Sequence, residues 1–147
     1  MSLRDHYLRT TYRVTEVTPP IDIRIGERCP ELDALLDKHA ALRWAFITAW
    51  NPGSKKLDAI ENQRRQAVLE AEVKQGGYAF YRGSGIPDDS TSAFLLPPSS
   101  LVSWDPEESI LIAGIDSEDA VKLGKKYEQA AIVTGERGAP AQLVFIN

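Results

Sequence analysis

Two short runs of almost wholly apolar residues constrain the fold of this chain most. They are Trp44–Trp50 and Ser109–Ile115. A strand that has no polar face is buried on both sides, as the central strands of layered α/β sheets are. The two runs therefore predict the middle of a sheet whose faces are both covered.

The segments around these runs predict the remaining elements. Pro30 suits the first turn of a helix, and Gly76-Gly77 is typical of a helix end. The further predicted strands and helices are Tyr12–Val17, Ile21–Ile25, Pro30–Leu42, Lys55–Gln75, Tyr78–Arg82, Asp116–Tyr127, Ala130–Thr134 and Gln142–Ile146. In chain order this is ββαβαβ–loop–βαββ. It predicts one α/β domain over residues 1–147, bordering on α+β, with a mixed parallel and antiparallel sheet of about six to seven strands and three helices.

Length and composition are those of one globular domain. The chain has 147 residues, of which 43% are hydrophobic and 26% charged, and this size buries a core without disulfides or metals. No apolar run has the length of a membrane helix, the first residues lack an apolar signal core, and Cys29 is the only cysteine. We therefore expect a cytoplasmic protein that does not enter a membrane.

The charge is distributed unevenly along the chain. The net charge is −4, and Ile86–Val121 contains eight acidic residues and no Lys or Arg. An acidic protein lacks the broad positive surface that sequence-independent nucleic-acid binding needs. Broad nucleic-acid binding is therefore not expected, although a local basic groove stays open.

The long segment Ile86–Ser103 decides which polar residues come together. If it stays at the end of the sheet where Gly85 leaves, the strand after it returns antiparallel; if it crosses the sheet, that strand is parallel. We expect the first arrangement, which brings a set of polar positions to one rim. That set is Asn51, Ser54, Glu61, Asn62, Arg64, Arg65, Gly85, Trp104, Glu107, Glu108 and Gln129.

The rim begins with Asn51-Pro52-Gly53-Ser54, which joins a strand to a helix. Free backbone amides at such a junction can bind phosphate or carboxylate, and the plainer alternative is a turn in which Ser54 caps the helix. In the helix, Arg64 falls within an apolar arc formed by Leu57, Ile60, Ala67, Val68 and Ala71, and a second apolar strip of Leu69 and Val73 continues into Arg65 and Asn62, so the helix is expected to be covered on two sides. A buried arginine needs a carboxylate or a bound anion, whereas an arginine that reaches the surface needs neither.

Two neighbouring glutamates, Glu107 and Glu108, precede the second apolar run. Close carboxylates can act as an acid/base pair or bind a divalent ion, or one of them can pair with Arg64 or Arg65. A divalent metal thus stays open, but no metal-ligand spacing and no cofactor motif is present, so no cofactor is predicted. Gly83-Ser84-Gly85 is interpreted as a turn that resembles a phosphate-binding loop only loosely.

An ordered series of motifs resembles a bacterial family known as "domain of unknown function 3293". The series consists of Phe46–Pro52, Glu61-Asn62 with Arg65, Gly76-Gly77-Tyr78, Gly83-Ser84-Gly85, Trp104, Glu107-Glu108-Ser109, Gly114-Ile115 and Leu123–Val133. The resemblance extends from about Arg43 to the C-terminus. Members have a shorter segment between the Gly-x-Gly turn and the tryptophan. The family has no established activity, so the resemblance implies only a bacterial source and a role for these polar positions.

Two classes of function remain open. In the first, the rim binds a small anionic or nucleotide-like ligand, with hydrolysis as an option. The arginines would neutralise the ligand, Asn51 and Gln129 would orient it, and Glu61 or Glu108 would act as base or metal ligand. In the second, the domain is a non-catalytic protein-interaction module with a patch formed by Phe94, Leu95 and Trp104. The sequence contains no pair of nucleophile and base that would identify an enzyme.

Overall fold

The computed structural model describes residues 2–87 and 107–146. The strands are β1 (Thr11–Val14), β2 (Ile21–Ile23), β3 (Arg43–Ile47), β4 (Ala79–Ile86), β5 (Glu107–Ala113), β6 (Ala131–Glu136) and β7 (Gln142–Phe145). The helices are α1 (Leu3–Leu8), α2 (Pro30–Lys38), α3 (Ala59–Gln75) and α4 (Ser117–Lys126), and a single 3₁₀ turn covers Pro52–Ser54. Within this part of the chain, no helix is both long and apolar enough to cross a membrane.

All seven described strands form one sheet in the order β2-β1-β4-β5-β3-β6-β7, and every neighbouring pair is antiparallel. The predicted hairpin and the two central apolar strands are confirmed. The predicted mixture of parallel and antiparallel neighbours is wrong. The domain is nevertheless a mixed α/β domain with the predicted number of strands.

The error lies in which strands are neighbours, not in the directions of the strands. β3 and β4 are joined through α3 and point the same way, as predicted, but β5 lies between them; in the same way β3 lies between β5 and β6. A strand of one β-α-β unit thus lies between the two strands of the other unit, so all neighbouring strands of the sheet are antiparallel. The order β4-β5-β3-β6 is that of a split β-α-β motif.

The sheet curls, and its two faces enclose separate cores. One core packs α2 against the inner face, with Leu36, Trp44, Phe46 and Leu111 among its members. The other packs α3 and α4 against the opposite face. A single backbone bridge between Ile25 and Ala141 links the chain after β2 to the chain before β7. The two ends of the strand order are therefore brought together by the curl.

Helix α3 differs from the prediction in its start and in one of its two predicted buried faces. It begins after Asp58, whose side chain accepts a hydrogen bond from the Glu61 amide at 2.8 Å, so Ser54 is not the cap. The buried positions are Asn62, Gln66, Leu69 and Val73. The predicted apolar arc points outward, since Ile60 and Val68 are 65% and 58% exposed. The second predicted strip, Leu69 and Val73 continuing into Asn62, is the face that the structure buries; hydropathy gave weight to the exposed arc because two buried positions are amides that bind the backbone of the preceding loop.

The structure also corrects the number of helices and the extent of β4. The sequence interpretation had three helices and missed α1, which starts with a capping box between Ser2 and Asp5. Gly83-Ser84-Gly85 is not a turn, because it lies inside β4 and pairs with both β1 and β5. The long segment predicted from Ile86 to Ser103 falls outside the described residues after position 87.

Candidate functional site

A cavity of about 70 Å³ opens at the end of the sheet where β3 finishes and β5 begins. We call it the end cavity. Its walls come from α1, from β1 and the residue before it, from the central strands and from the residues before β6. The polar and aromatic lining residues are His6, Tyr7, Thr10, Tyr12, Phe46, Thr48, Glu107, Ser109 and Gln129.

The space in this cavity results from a row of residues across three strands. Tyr12 on β1 lies opposite Gly85 on β4, and Gly85 lies opposite Glu107 on β5. Because glycine has no side chain, the positions of the tyrosine and the glutamate are separated by an empty site. Gly85 thus forms part of the cavity wall and is not part of a phosphate-binding loop.

Glu107 is the carboxyl group of the described cavity wall, and the loop after β3 positions it. The Asn51 side chain donates a hydrogen bond from Nδ2 to Glu107 Oε1 at 3.1 Å. Asn51 has a left-handed backbone, with φ at 47°. Its own position is fixed by Asn62, whose Oδ1 accepts from the Asn51 amide and whose Nδ2 donates to Asn51 Oδ1, both at 2.9 Å. Asn62 is 1% exposed, so this positioning network is rooted in the core.

Burial raises the pKa of Glu107 above its ordinary value, although the hydrogen bond from Asn51 acts in the opposite direction. The same carboxyl also influences its neighbours. Burial, and secondarily the charge of Glu107, raise the pKa of Tyr7 to about 12. The pKa of Tyr12 is raised as well, mainly by burial. Burial lowers the pKa of His6, which favours its neutral form. The cavity is therefore a place where an unpaired negative charge is costly.

This cost predicts a pH-dependent effect of replacing Glu107 with glutamine. A carboxyl whose pKa is higher in the folded state binds more protons when folded, so stability falls as pH rises from about 4.5 through the raised pKa. Glu107→Gln keeps the oxygen that accepts from Asn51 and removes the charge. We expect the variant to be more stable than the wild type at pH 8, and this advantage to shrink at pH 4.

The measurement is urea unfolding of both proteins at the two pH values. Glu108→Gln, the same change at an exposed neighbouring position, is the control. A Glu107→Gln protein that is less stable than the wild type at pH 8 would contradict the assigned cost of burial.

The other predicted carboxylates lie elsewhere. Strand alternation turns Glu108 to the face opposite Glu107, where it lines a separate, more open groove together with Glu70 and Arg82. The predicted acid/base or metal-binding pair of neighbouring glutamates is therefore wrong. Glu61 is exposed and lies 3.9 Å from Arg64 in an ion pair on the helix surface. Among residues 2–87 and 107–146, no group of three His, Cys, Asp or Glu side chains is arranged to hold a metal ion.

The two predicted arginines do not line the end cavity. Arg64 is on the outer face of α3 with 76% of its side chain exposed. Arg65 is half-buried, and its guanidinium donates to the carbonyl oxygens of Ala49 at 2.9 Å and Tyr127 at 2.7 Å. It thus joins the end of β3 to the end of α4. In this structure Arg65 therefore has a structural role, in place of the predicted role of neutralising a ligand.

Gln129 has the predicted location, and two other predicted positions lie beyond description. Gln129 is 9% exposed and donates from Nε2 to the carbonyl oxygens of Trp50 and Tyr127, both at 3.1 Å. Trp104 lies outside the described residues, as do Phe94 and Leu95. The backbone of Ser54 belongs to the 3₁₀ turn, but its side chain is outside the described part.

Sequence reasoning missed the cavity residues of the N-terminal segment and of the apolar strands. Tyr7 and His6 belong to α1, which was not predicted, although Ser2-Leu3-Arg4-Asp5 carries a capping signal. Thr48 and Ser109 are the polar residues within the two apolar runs. A polar residue in an otherwise apolar strand was the signal that could have indicated a site there. The sequence interpretation placed Tyr12 on a strand but gave this residue no functional role.

The chain matches the family described as "Protein of unknown function (DUF3293)" over residues 47–132. The chain belongs to this family. The DUF3293 match covers more than half of the chain and includes Asn51, Gly85, Glu107 and Gln129. No curated protein and no solved structure matches the chain. The DUF3293 description states no activity, so the chemistry of the end cavity has to be argued from its own geometry.

Proposed function

We propose that this DUF3293 domain binds a small polar ligand in the end cavity, with Glu107 as the anchoring group. One observation carries the proposal: a partly buried carboxyl is held at the cavity wall by an asparagine network, and among the described residues no Lys, Arg or His forms an ion pair with it. Burying such a group costs free energy unless a partner compensates it. A bound ligand would be that partner.

The size of the cavity limits the ligand. A cavity of roughly 150 Å³ is filled by a benzene-sized molecule, and the end cavity measures about 70 Å³. It accommodates a group of a few non-hydrogen atoms, either a very small molecule or one end of a larger one. A whole nucleotide exceeds this volume.

The earlier expectation of an anionic ligand has less support than a ligand that donates hydrogen bonds. The described cavity wall includes no arginine or lysine, and it includes the carboxyl of Glu107. The separation of Glu107 from Glu108 also removes the basis for hydrolysis by a pair of carboxylates. We therefore propose binding without a reaction. We propose a bacterial source from the family resemblance, and the cytoplasm as the compartment because the single cysteine cannot form an internal disulfide.

A non-catalytic protein-interaction module is the second candidate. It is favoured by the exposed apolar side chains of Ile60 and Val68 on the outer face of α3. Exposed apolar surface can mark a partner site when it forms a continuous patch. Arg64 lies between these two residues on the helix, which interrupts the patch, so this function ranks below ligand binding.

A thermal-shift screen with small amines, alcohols, amides and carboxylates tests the proposed function. A ligand that binds only the folded state raises the melting temperature, because it stabilises that state by RT ln(1 + [L]/Kd). We expect at least one class to stabilise the wild type and to lose this effect in Glu107→Gln, since the anchoring charge is gone.

Glu108→Gln, the exposed neighbouring change, is expected to keep the full response. Stabilisation that persists in Glu107→Gln would place the site elsewhere. A screen with no stabilising class at a concentration of tens of millimolar would count against ligand binding in this cavity.

A further inference from the structure

Four hydroxyl donors that line the end cavity are already committed to backbone carbonyl oxygens; the Tyr7 hydroxyl and the His6 ring are further donors of the described wall. Tyr12 donates to Tyr7 O at 3.1 Å, and Thr10 donates to His6 O at 2.8 Å. Thr48 donates to Glu108 O at 2.6 Å, and Ser109 donates to Glu107 O at 3.0 Å. A hydroxyl has one hydrogen to donate, so none of these four groups can donate to a ligand without losing its present bond.

Gln129 follows the same pattern. Both of its amide bonds run from Nε2 to carbonyl oxygens, at Trp50 and Tyr127. Since a carbonyl only accepts, these two bonds fix which end of the Gln129 amide is the nitrogen. Its Oε1 is left as an acceptor that no described residue engages.

Apart from the Tyr7 hydroxyl and the His6 ring, the described wall therefore offers acceptors. Glu107 uses one carboxyl oxygen for the bond from Asn51, and its second oxygen accepts no hydrogen bond from the described residues. Hydroxyl oxygens of the wall retain lone pairs as well. A cavity that is rich in acceptors and contains a partly buried carboxyl is complementary to a group that has several N–H donors and a positive charge.

We propose that the end cavity takes a primary ammonium group, carried by a small amine or by the end of a larger amine; this rests on the proposed function. The ammonium would donate to Glu107 and to Gln129 Oε1, and its charge would compensate the carboxylate that the fold buries. The aromatic rings of Tyr7, Tyr12 and Phe46 line the same cavity. Aromatic rings tolerate and attract cations, so they do not oppose this ligand. The size of the cavity suits an ammonium with one or two carbon atoms.

Titration of the isotope-labelled full chain, followed by two-dimensional amide NMR, tests this inference. The probes are methylammonium chloride, ethanol, sodium acetate and tetramethylammonium chloride at constant ionic strength. Methylammonium is expected to shift the backbone amide signals of Thr48, Ser109 and Gln129 in a saturable way. With two non-hydrogen atoms, its Kd is at best on the order of 10 mM. Ethanol lacks the charge, acetate has the opposite charge, and tetramethylammonium lacks N–H donors, so none of these should saturate.

Two variants test whether the carboxylate of Glu107 is the group that binds the ammonium. Glu107→Gln is expected to weaken methylammonium binding at least tenfold, whereas Glu108→Gln is expected to change it less than twofold. The probe series on the wild type decides the question even if Glu107→Gln does not fold. Saturation by acetate or ethanol in place of methylammonium would overturn the ammonium inference and leave the proposed site standing. Equal methylammonium binding by wild type and folded Glu107→Gln would overturn the role of Glu107. If no probe moves these signals, both proposals fail.

Discussion

Replacing Gly83 with alanine is expected to destabilise the protein by about 3 kcal/mol, the upper end of the usual cost of forcing extra atoms into a packed site. A β-carbon at this position would lie 2.3 Å from the carbonyl oxygen of Arg13 and 3.1 Å from the Phe46 ring. The first of these atoms is backbone of the neighbouring strand β1. Relief therefore requires that β1 and β4 move apart, which breaks their pairing.

Gly85→Ala is the matched control, because it lies two positions further along the same strand. A β-carbon there would meet its nearest atom, Thr10 Cγ2, at 3.8 Å, which is ordinary contact. Urea unfolding of both variants measures the difference, and we expect Gly85→Ala to stay within about 1 kcal/mol of the wild type. Equal losses in the two variants would show that glycine flexibility, and not the close approach of Arg13, determines the effect.

Exchange of Arg65 for methionine is expected to cost about 3 kcal/mol. Hydrogen bonds that involve a charged group contribute roughly 1.5–3 kcal/mol each, and they are not strictly additive. Arg65 makes two such bonds, to the carbonyl oxygens of Ala49 and Tyr127. Methionine retains much of the packing of the side chain but leaves both carbonyl groups without this donor.

The adjacent arginine provides the comparison. Arg64→Met removes a guanidinium that is 76% exposed and whose only described ion pair spans 3.9 Å, so its free energy of unfolding should change by no more than about 0.5 kcal/mol. A larger loss of stability in Arg65→Met than in Arg64→Met would support a structural role for Arg65 over a ligand-binding role. If Arg65→Met unfolds like the wild type but abolishes ligand binding, the structural assignment is wrong.

The elements of the fold follow largely from patterns that act over short distances. The apolar runs predicted two central strands, and Pro30, Gly76-Gly77 and Asp116 correctly placed ends of α2, α3 and α4. The return of the chain to the rim was also predicted correctly, because Asn51 and Glu107 are joined by a hydrogen bond. These features depend on local sequence and on one chain reversal.

Strand neighbours and side-chain partners depend on information that the sequence pattern does not contain. Whether β5 pairs beside β4 only or enters between β3 and β4 is decided by packing of the whole sheet. The burial of Gln66 on α3 was not predicted, for a related reason. Asn62 and Gln66 are buried because backbone amides at Asn51 and Ala49 need acceptors, and this need is visible only after the loop is folded.

The walls of the end cavity come from two parts of the chain, one inside the segment that matches the family and one before it. Glu107, Asn51 and Gln129 lie within the matched residues 47–132, whereas Tyr7, Thr10, Tyr12 and Phe46 precede them. In the proposed complex, anchoring and selection would be separated: residues within the family match would hold the charged end of the ligand, and the preceding residues would shape the space around it. Substitutions in the first dozen residues would then change which ligand is preferred without altering Glu107.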